Sequence, residues 1–262
     1  MDLISSGWYS TPKWIRVAII VVSSVVLWEA AVRTLDVKPF LLPAPSRLVT
    51  VMIVDSAYLL RHTGYTLYET LLGFAVAVIF GVLLAVAIVS SRFLEETIYV
   101  LLVTLNSIPK VALAPLFVVW MGTGMPPKVA IAAMISVFVI VIDMVLGLKS
   151  VDPDMIDLAR SMKATKLQIL LRLRFPTALP NLFAGMKVGI TFALIGAIVG
   201  EFVASDQGLG YVIMVAQGQF DVPTMFAAVT ILAIVGTLLF FVVDVLEHVA
   251  LPWHVSRRGT VH

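Results

Sequence analysis

The chain has 262 residues, 60% of them hydrophobic and 13% charged, with a formal net charge of +2, no cysteine and a mean hydropathy of +1.04. This balance excludes an ordinary soluble domain and describes an integral membrane protein. The small net charge argues against a nucleic-acid partner, and a chain without cysteine has no disulfide frame, thiol nucleophile or Cys-ligated metal.

A helix needs about 20 apolar residues to span a bilayer. The chain offers about six such runs, near 15–35, 66–90, 98–120, 128–148, 184–204 and 225–247. The predicted fold class is therefore an all-α membrane protein, with one transmembrane domain over residues 1–262. The first run follows Lys13 and Arg16 as a signal peptide would, but continues through Trp28 and Glu29 to Leu35 without a small-residue cleavage site, and reads as a retained anchor. Next, Leu42-Pro43-Ala44-Pro45-Ser46 predicts an extended turn, with Ser46 placed to N-cap an external amphipathic helix running toward Arg61. The third run carries Asn106, Ser107 and Lys110 around Pro109, a residue that loosens backbone hydrogen bonding. The fifth carries Gly185, Gly189, Gly196 and Gly200, small-xxx-small pairs that admit a close neighbour from the same chain or from a second copy. Gly208-Leu209-Gly210 is a turn signal, followed by a short stretch to Gln219 and a break at Asp221-Val222-Pro223. With both termini cytoplasmic, Arg92, Lys149, the basic residues of 160–174 and Arg257/Arg258 lie inside, while Arg33, Lys38, Arg47, Arg61 and Lys128 lie outside, an asymmetry in the positive-inside sense.

Between the fourth and fifth runs lies a charged segment, 151–180, whose Arg160, Lys163, Lys166, Arg172 and Arg174 would each cost about 2.5 to 3.5 kcal/mol at the centre of a bilayer. It belongs in water. Asp152-Pro153 starts a helix, with the carboxylate accepting free first-turn N–H groups and proline at the first helical position, and Asp154 favours the positive end of the dipole. Ile156, Ala159 and Met162 share one face of this helix, and Leu167, Leu170, Leu171 and Arg174 share a face of a second, which Pro176 and Pro180 are expected to close. Two short amphipathic helices outside the bilayer need cover, either in a groove on a partner or against helix ends of their own chain.

This segment resembles the cytoplasmic signature of inner-membrane permeases of bacterial ABC importers: Glu-Ala-Ala, three residues, Gly, nine residues, Ile-x-Leu-Pro. Asp157, Leu158 and Ala159 take the first places, Lys163 the glycine place, and Leu173, Phe175 and Pro176 the last. The spacing agrees throughout, and the departure is Lys163, which stands where the family has glycine between its two short helices. Further along the chain, Leu42–Ser46, Thr70–Gly73 with Gly81, Ile108–Leu116, Trp120-Met121-Gly122-Thr123-Gly124, Glu201 with Gly208–Tyr211, and Trp253 are similar to the nitrate, sulfonate and taurine branch of these permeases.

The resemblance implies a pathway made by two permease subunits that switches between two access states: two cytoplasmic ATPase subunits carry ATP and Mg, and an external solute-binding protein delivers cargo. The second permease would be another copy of this chain, in a bacterial cytoplasmic (inner) membrane. Asp157, Ala159, Lys163, Ala164, Leu173 and Pro176 would couple to the ATPase, and this chain itself would hold no cofactor and perform no catalysis. The implied solute is a small organic anion of sulfonate, taurine or nitrate type, with a pyrimidine thiamine precursor or riboflavin as the alternative.

Buried polar residues remain to be placed. Asn106, Ser107 and Lys110 are solute-pathway candidates; Lys110 suits an anion, or else snorkels or pairs with Asp143. Glu201 reads as a gate or a packing residue near the external surface, and Asp244 as an interfacial charge. His62, His248, His254 and His262 lack ligand spacing, so no metal site is expected. A membrane-embedded enzyme would need G-x-S-x-G or a His/Asp cluster, which the sequence lacks, and an ion-coupled secondary transporter would not require the 151–180 segment.

Overall fold

The computed structural model describes residues 12–91, 93, 94, 96, 97, 104 and 108–252, and every element among them is helical. Among the described residues, five helices are long and apolar enough to cross a membrane. The expected third span, 98–120, falls largely outside the described residues; its described end is a 3-10 turn, Lys110–Leu113, leading into a short helix, Ala114–Met121.

The chain divides into two compact units. The first comprises residues 1–60 and 212–230. It contains α1 (Lys13–Thr34), α2 (Pro45–Val54) and the first turn of α3 (Ser56–Ser90). Ser46 is not the N-cap that its sequence position suggests: Ala44 is, because Pro45 takes the first helical position with its φ already set. Ser46 instead binds Glu29 of α1, its N–H donating to Oε2 at 3.0 Å and its hydroxyl to Oε1 at 2.8 Å. Nor does α2 run toward Arg61; it stops at Val54 with Asp55 as C-cap, and α3 begins at Ser56. Within the same unit, Trp28 packs at 6.3 Å from Phe226, and Asp221 caps the turn at Thr224 through bonds to its N–H (3.3 Å) and hydroxyl (2.6 Å).

The second unit comprises residues 61–211 and 231–262. Its core is built around α5 (Met125–Lys149), counting Ala114–Met121 as α4, with α3 and the long helix after residue 175 packed against it. Then follow α6 (Pro153–Ser161), α7 (Lys166–Ile169), a π turn (Leu170–Arg174) and α8 (Phe175–Ala204); α9 (Leu209–Gly218) starts in this unit and α10 (Val222–Ala250) ends in it, while residues 212–230 belong to the first. A Cβ at Gly196 would lie 2.5 Å from Ala132 Cα, one at Gly200 2.9 Å from Lys128 Cα, one at Gly185 2.9 Å from Asp143 Cβ, and one at Gly189 3.1 Å from Ile140 Cγ1. The small residues of the fifth span therefore seat α8 on α5 of the same chain. Gly73 and Gly81 bring α3 onto α5 in the same way, against Ala132 and Ile140.

Pro176 and Pro180 do not close the second amphipathic helix. Residues Lys166–Ala204 form one continuous apolar helix of 39 residues. Proline removes one backbone donor and crowds the carbonyl four residues earlier. The wider π turn just before Pro176 relieves that crowding, and Pro180 lies inside a spanning helix, where packed neighbours tolerate the lost bond.

Candidate functional site: the 151–180 segment and a buried polar cluster

Asp152 is the N-cap of α6, its Oδ1 accepting from the Asp154 N–H at 2.9 Å, with Pro153 following. The helix ends in a Schellman motif: the Ala164 N–H donates to Ala159 O at 3.0 Å, and the Lys163 N–H to Arg160 O at 2.9 Å. Lys163 occupies the position where such a motif needs a left-handed residue, and its φ is 61°. That conformation explains why glycine suits this place, and a lysine there carries about 1 to 2 kcal/mol of backbone strain. The next helix starts at once with a capping box, Gln168 N–H to Thr165 Oγ1 at 3.3 Å and Thr165 N–H to Gln168 Oε1 at 2.8 Å. The Thr165-x-x-Gln168 spacing carries that signal in the sequence and went unread.

Asp157 is exposed and ion-paired with Arg160 at 3.0 Å. Ala159, Ala164, Leu173 and Pro176 are half-buried, while Lys163 and Met162 project into the open, Met162 with 76% of its surface exposed. The segment thus offers apolar side chains beside charges, and through the continuous Lys166–Ala204 helix it is joined rigidly to a spanning element.

At the far end of α5 lies a polar cluster. Glu201 is 1% exposed, with Oε1 accepting from Thr66 Oγ1 at 2.7 Å and Oε2 from the Gly210 N–H at 2.5 Å. The Leu209 N–H donates to Thr66 Oγ1 at 2.8 Å and the Gly208 N–H to His62 Nδ1 at 3.0 Å. These are the donors at the start of α9, which no cap within its own segment satisfies, so α3 and α8 supply the acceptors. Unpaired in hydrocarbon, each would cost several kcal/mol. Gly208 is required twice over: its φ is 101°, and a Cβ there would overlap the Glu201 carboxyl. Beside this cap, Lys128 Nζ donates to Glu69 Oε1 at 2.8 Å and to Ser205 Oγ at 2.6 Å, with the Lys128 and Glu69 side chains 5% and 2% exposed. Lys128, counted from the sequence among the charges on the outer side, is buried in this cluster.

Among the other sequence candidates, Asn106 and Ser107 lie outside the described residues. Lys110 Nζ stands 4.7 Å over the Phe138 ring. Asp244 is held by Lys187 of α8 at 2.5 Å, and Lys187 also meets Glu247 at 2.5 Å, so the α8–α10 contact carries an ion triad. Thr66, Glu69, Lys187 and Glu247 were not singled out in the sequence; Asp244 and Glu247, one turn apart in an apolar run, were the available signal. No group of three or more metal-ligating side chains occurs among the described residues.

Residues 77–251 match the family described as binding-protein-dependent transport system inner membrane component. The chain belongs to that family. This permease is 36% identical over 230 residues to the formylaminopyrimidine transport permease ThiX of Halalkalibacterium halodurans, covering 87% of this chain and 91% of that protein. It is 36% identical over 233 residues to the riboflavin transport system permease RibX of Chloroflexus aurantiacus, covering 88% and 87%. With the taurine transport system permease TauC of Escherichia coli it shares 25% over 236 residues, covering 87% and 86%. The fold of the permease resembles a chain of the inward-facing MetNI methionine ABC transporter, with a TM-score of 0.65 and 21% identity over 73% of this chain and 96% of that one. Family membership makes the chain a multi-pass permease subunit of an ABC importer and leaves the membrane-enzyme and ion-coupled readings without support.

Proposed function

We propose that this permease forms the solute pathway of an ATP-driven importer as a pair of identical copies, each acting as one domain over residues 1–262. Two ATPase subunits seat the 151–180 segments, with Asp157, Ala159, Lys163, Ala164, Leu173 and Pro176 in the contact, and hydrolyse Mg-bound ATP. Both termini face the cytoplasm of a bacterial cell, and an external binding protein delivers the solute. The observation that carries this reading is the continuity of Lys166–Ala204: a push on the segment is transmitted along one helix into the membrane, which suits a rigid-body switch between two access states.

The solute favoured is a flat heterocycle of the formylaminopyrimidine or flavin kind. The two relatives named for such cargo are 36% identical to this chain over the aligned residues, against 25% for the taurine permease. A small sulfonate-type anion is the second reading, supported by the cationic Lys110. The test is co-expression with the ATPase subunit, reconstitution in nanodiscs, and ATPase activity with binding proteins loaded with formylaminopyrimidine, riboflavin or taurine. Stimulation by a heterocycle is expected; stimulation by taurine alone reverses the choice of solute, and failure to associate with any ATPase refutes the coupling role.

A further inference from the structure

Between the inner end of α3 and the 151–180 segment lies a cavity of about 590 Å³. Its wall is two-faced, with Val89, Leu167 and Leu170 on one side of the chemistry and Arg160, Lys166 and Arg174 on the other, and no carboxylate among the described residues lines it. Arg160 is answered by Asp157 outside the cavity, at 3.0 Å. Arg174 is not: its Nε is buried without a hydrogen-bond partner among the described residues. A buried donor left in that state calls for an acceptor that none of the described residues supplies. Leu167 is 62% exposed although it lines the cavity, so an apolar surface also waits for cover.

The place matters as much as the composition. Val89 and Ser90 are the last residues of a spanning helix, and Arg174 ends the π turn from which the next spanning helix runs. The cavity therefore opens where headgroups meet acyl chains. Basic pockets between spanning helices on the cytoplasmic side are suited to acidic headgroups, and each cation near such a surface adds attraction for an anionic lipid. A free anion would satisfy Arg174 but leave Leu167 and Leu170 bare; an apolar segment would cover the leucines but leave the buried Nε of Arg174 unanswered.

We propose that this cavity binds one anionic phospholipid of the cytoplasmic leaflet, its phosphodiester against Arg174 and Lys166 and its chain along Val89, Leu167 and Leu170. The lipid then bridges the spanning helices and the segment that meets the ATPase, so that importer activity senses the acidity of the membrane. The placement on the cytoplasmic side rests on the importer reading above, but binding itself does not.

The test is native mass spectrometry of the full-length permease in neutral detergent, titrated with short-chain phosphatidylglycerol, short-chain phosphatidylcholine or inorganic phosphate. The expected result is saturable binding of phosphatidylglycerol, weakened about fivefold by Arg174→Gln or Lys166→Gln and roughly 25-fold by both together. Arg172→Gln, on the same segment but exposed and outside the cavity wall, is expected to retain binding, and melting curves of all variants separate loss of the site from loss of the fold. Equal binding of phosphatidylcholine, displacement by inorganic phosphate at matching concentrations, or an equal loss in Arg172→Gln would each overturn the proposal. Association with the ATPase, scored separately by co-purification, shows whether the importer reading survives independently.

Discussion

Replacing Lys128 by methionine is the sharpest test of the buried cluster. Methionine keeps an unbranched apolar stem of similar reach, so the packing of Lys128 Cβ and Cγ against Gly200 is preserved and the perturbation is confined to the ammonium. That group is the cationic partner of Glu69 at 2.8 Å and also donates to Ser205 at 2.6 Å, in a site where both ion-paired side chains are almost fully covered. Removing Nζ therefore leaves the Glu69 carboxylate buried without its cationic partner. Breaking one side of a buried pair costs about 3 to 5 kcal/mol, because the remaining charge keeps its desolvation penalty and loses its compensation. Removing both charges together has a much smaller effect. The assay is a double-mutant cycle of Lys128→Met and Glu69→Gln, read by equilibrium unfolding of the purified permease in a mild detergent. The expected outcome is a large loss in the single Lys128 variant that the second substitution recovers in greater part. A Lys128→Met protein within about 1 kcal/mol of wild type, smaller than the penalty for a stranded buried ion, would refute the reasoning, as would a double variant no more stable than the single.

Other outcomes follow from individual residues. Lys163→Gly is expected to relax the turn by about 1 kcal/mol, since glycine adopts φ near 61° without the Cβ conflict, whereas Lys163→Ile should weaken it; thermal melting of the pair reads the sign. Ala159→Glu places a charge in the half-buried middle of the segment and is expected to abolish solute-stimulated ATPase activity while the permease still reaches the membrane; normal uptake by that variant would count against ATPase docking at this face. Gly196→Ala forces a methyl group onto the Ala132 backbone and should destabilise by about 1 to 3 kcal/mol, while Gly64→Ala, with nothing within 4 Å of the new carbon, should stabilise its helix by about 1 kcal/mol. Unfolding midpoints of the two glycine variants moving in the same direction would contradict the placement of α8 on α5.

Much of this protein is legible one segment at a time. Apolar run length marks the spans, and Asp152-Pro153 marks the start of α6, because helix formation and capping depend on neighbours within a few positions. The 157–176 spacing likewise marks the segment outside the bilayer, where five cations in about one short stretch could not be solvated by lipid. Local rules fail where two of them conflict. Pro176 and Pro180 forecast a stop, yet the π turn and packed neighbours carry the helix through both, and Lys163 holds a glycine-like conformation that its side chain alone would not suggest.

The tertiary structure alone decided the partnerships. Glycine spacing on the fifth span announces a close neighbour without naming it, and only the packing of α8 along α5 identifies that neighbour as the same chain. In the sequence Glu201 is a candidate gate or packing residue and Lys128 an external charge, each without a named partner; Thr66 lies 135 residues from Glu201, and Glu69 lies 59 residues from Lys128. Burial turns those distant residues into a cap and an ion pair, because a charge removed from water is stable only beside a partner that the fold has to bring to it.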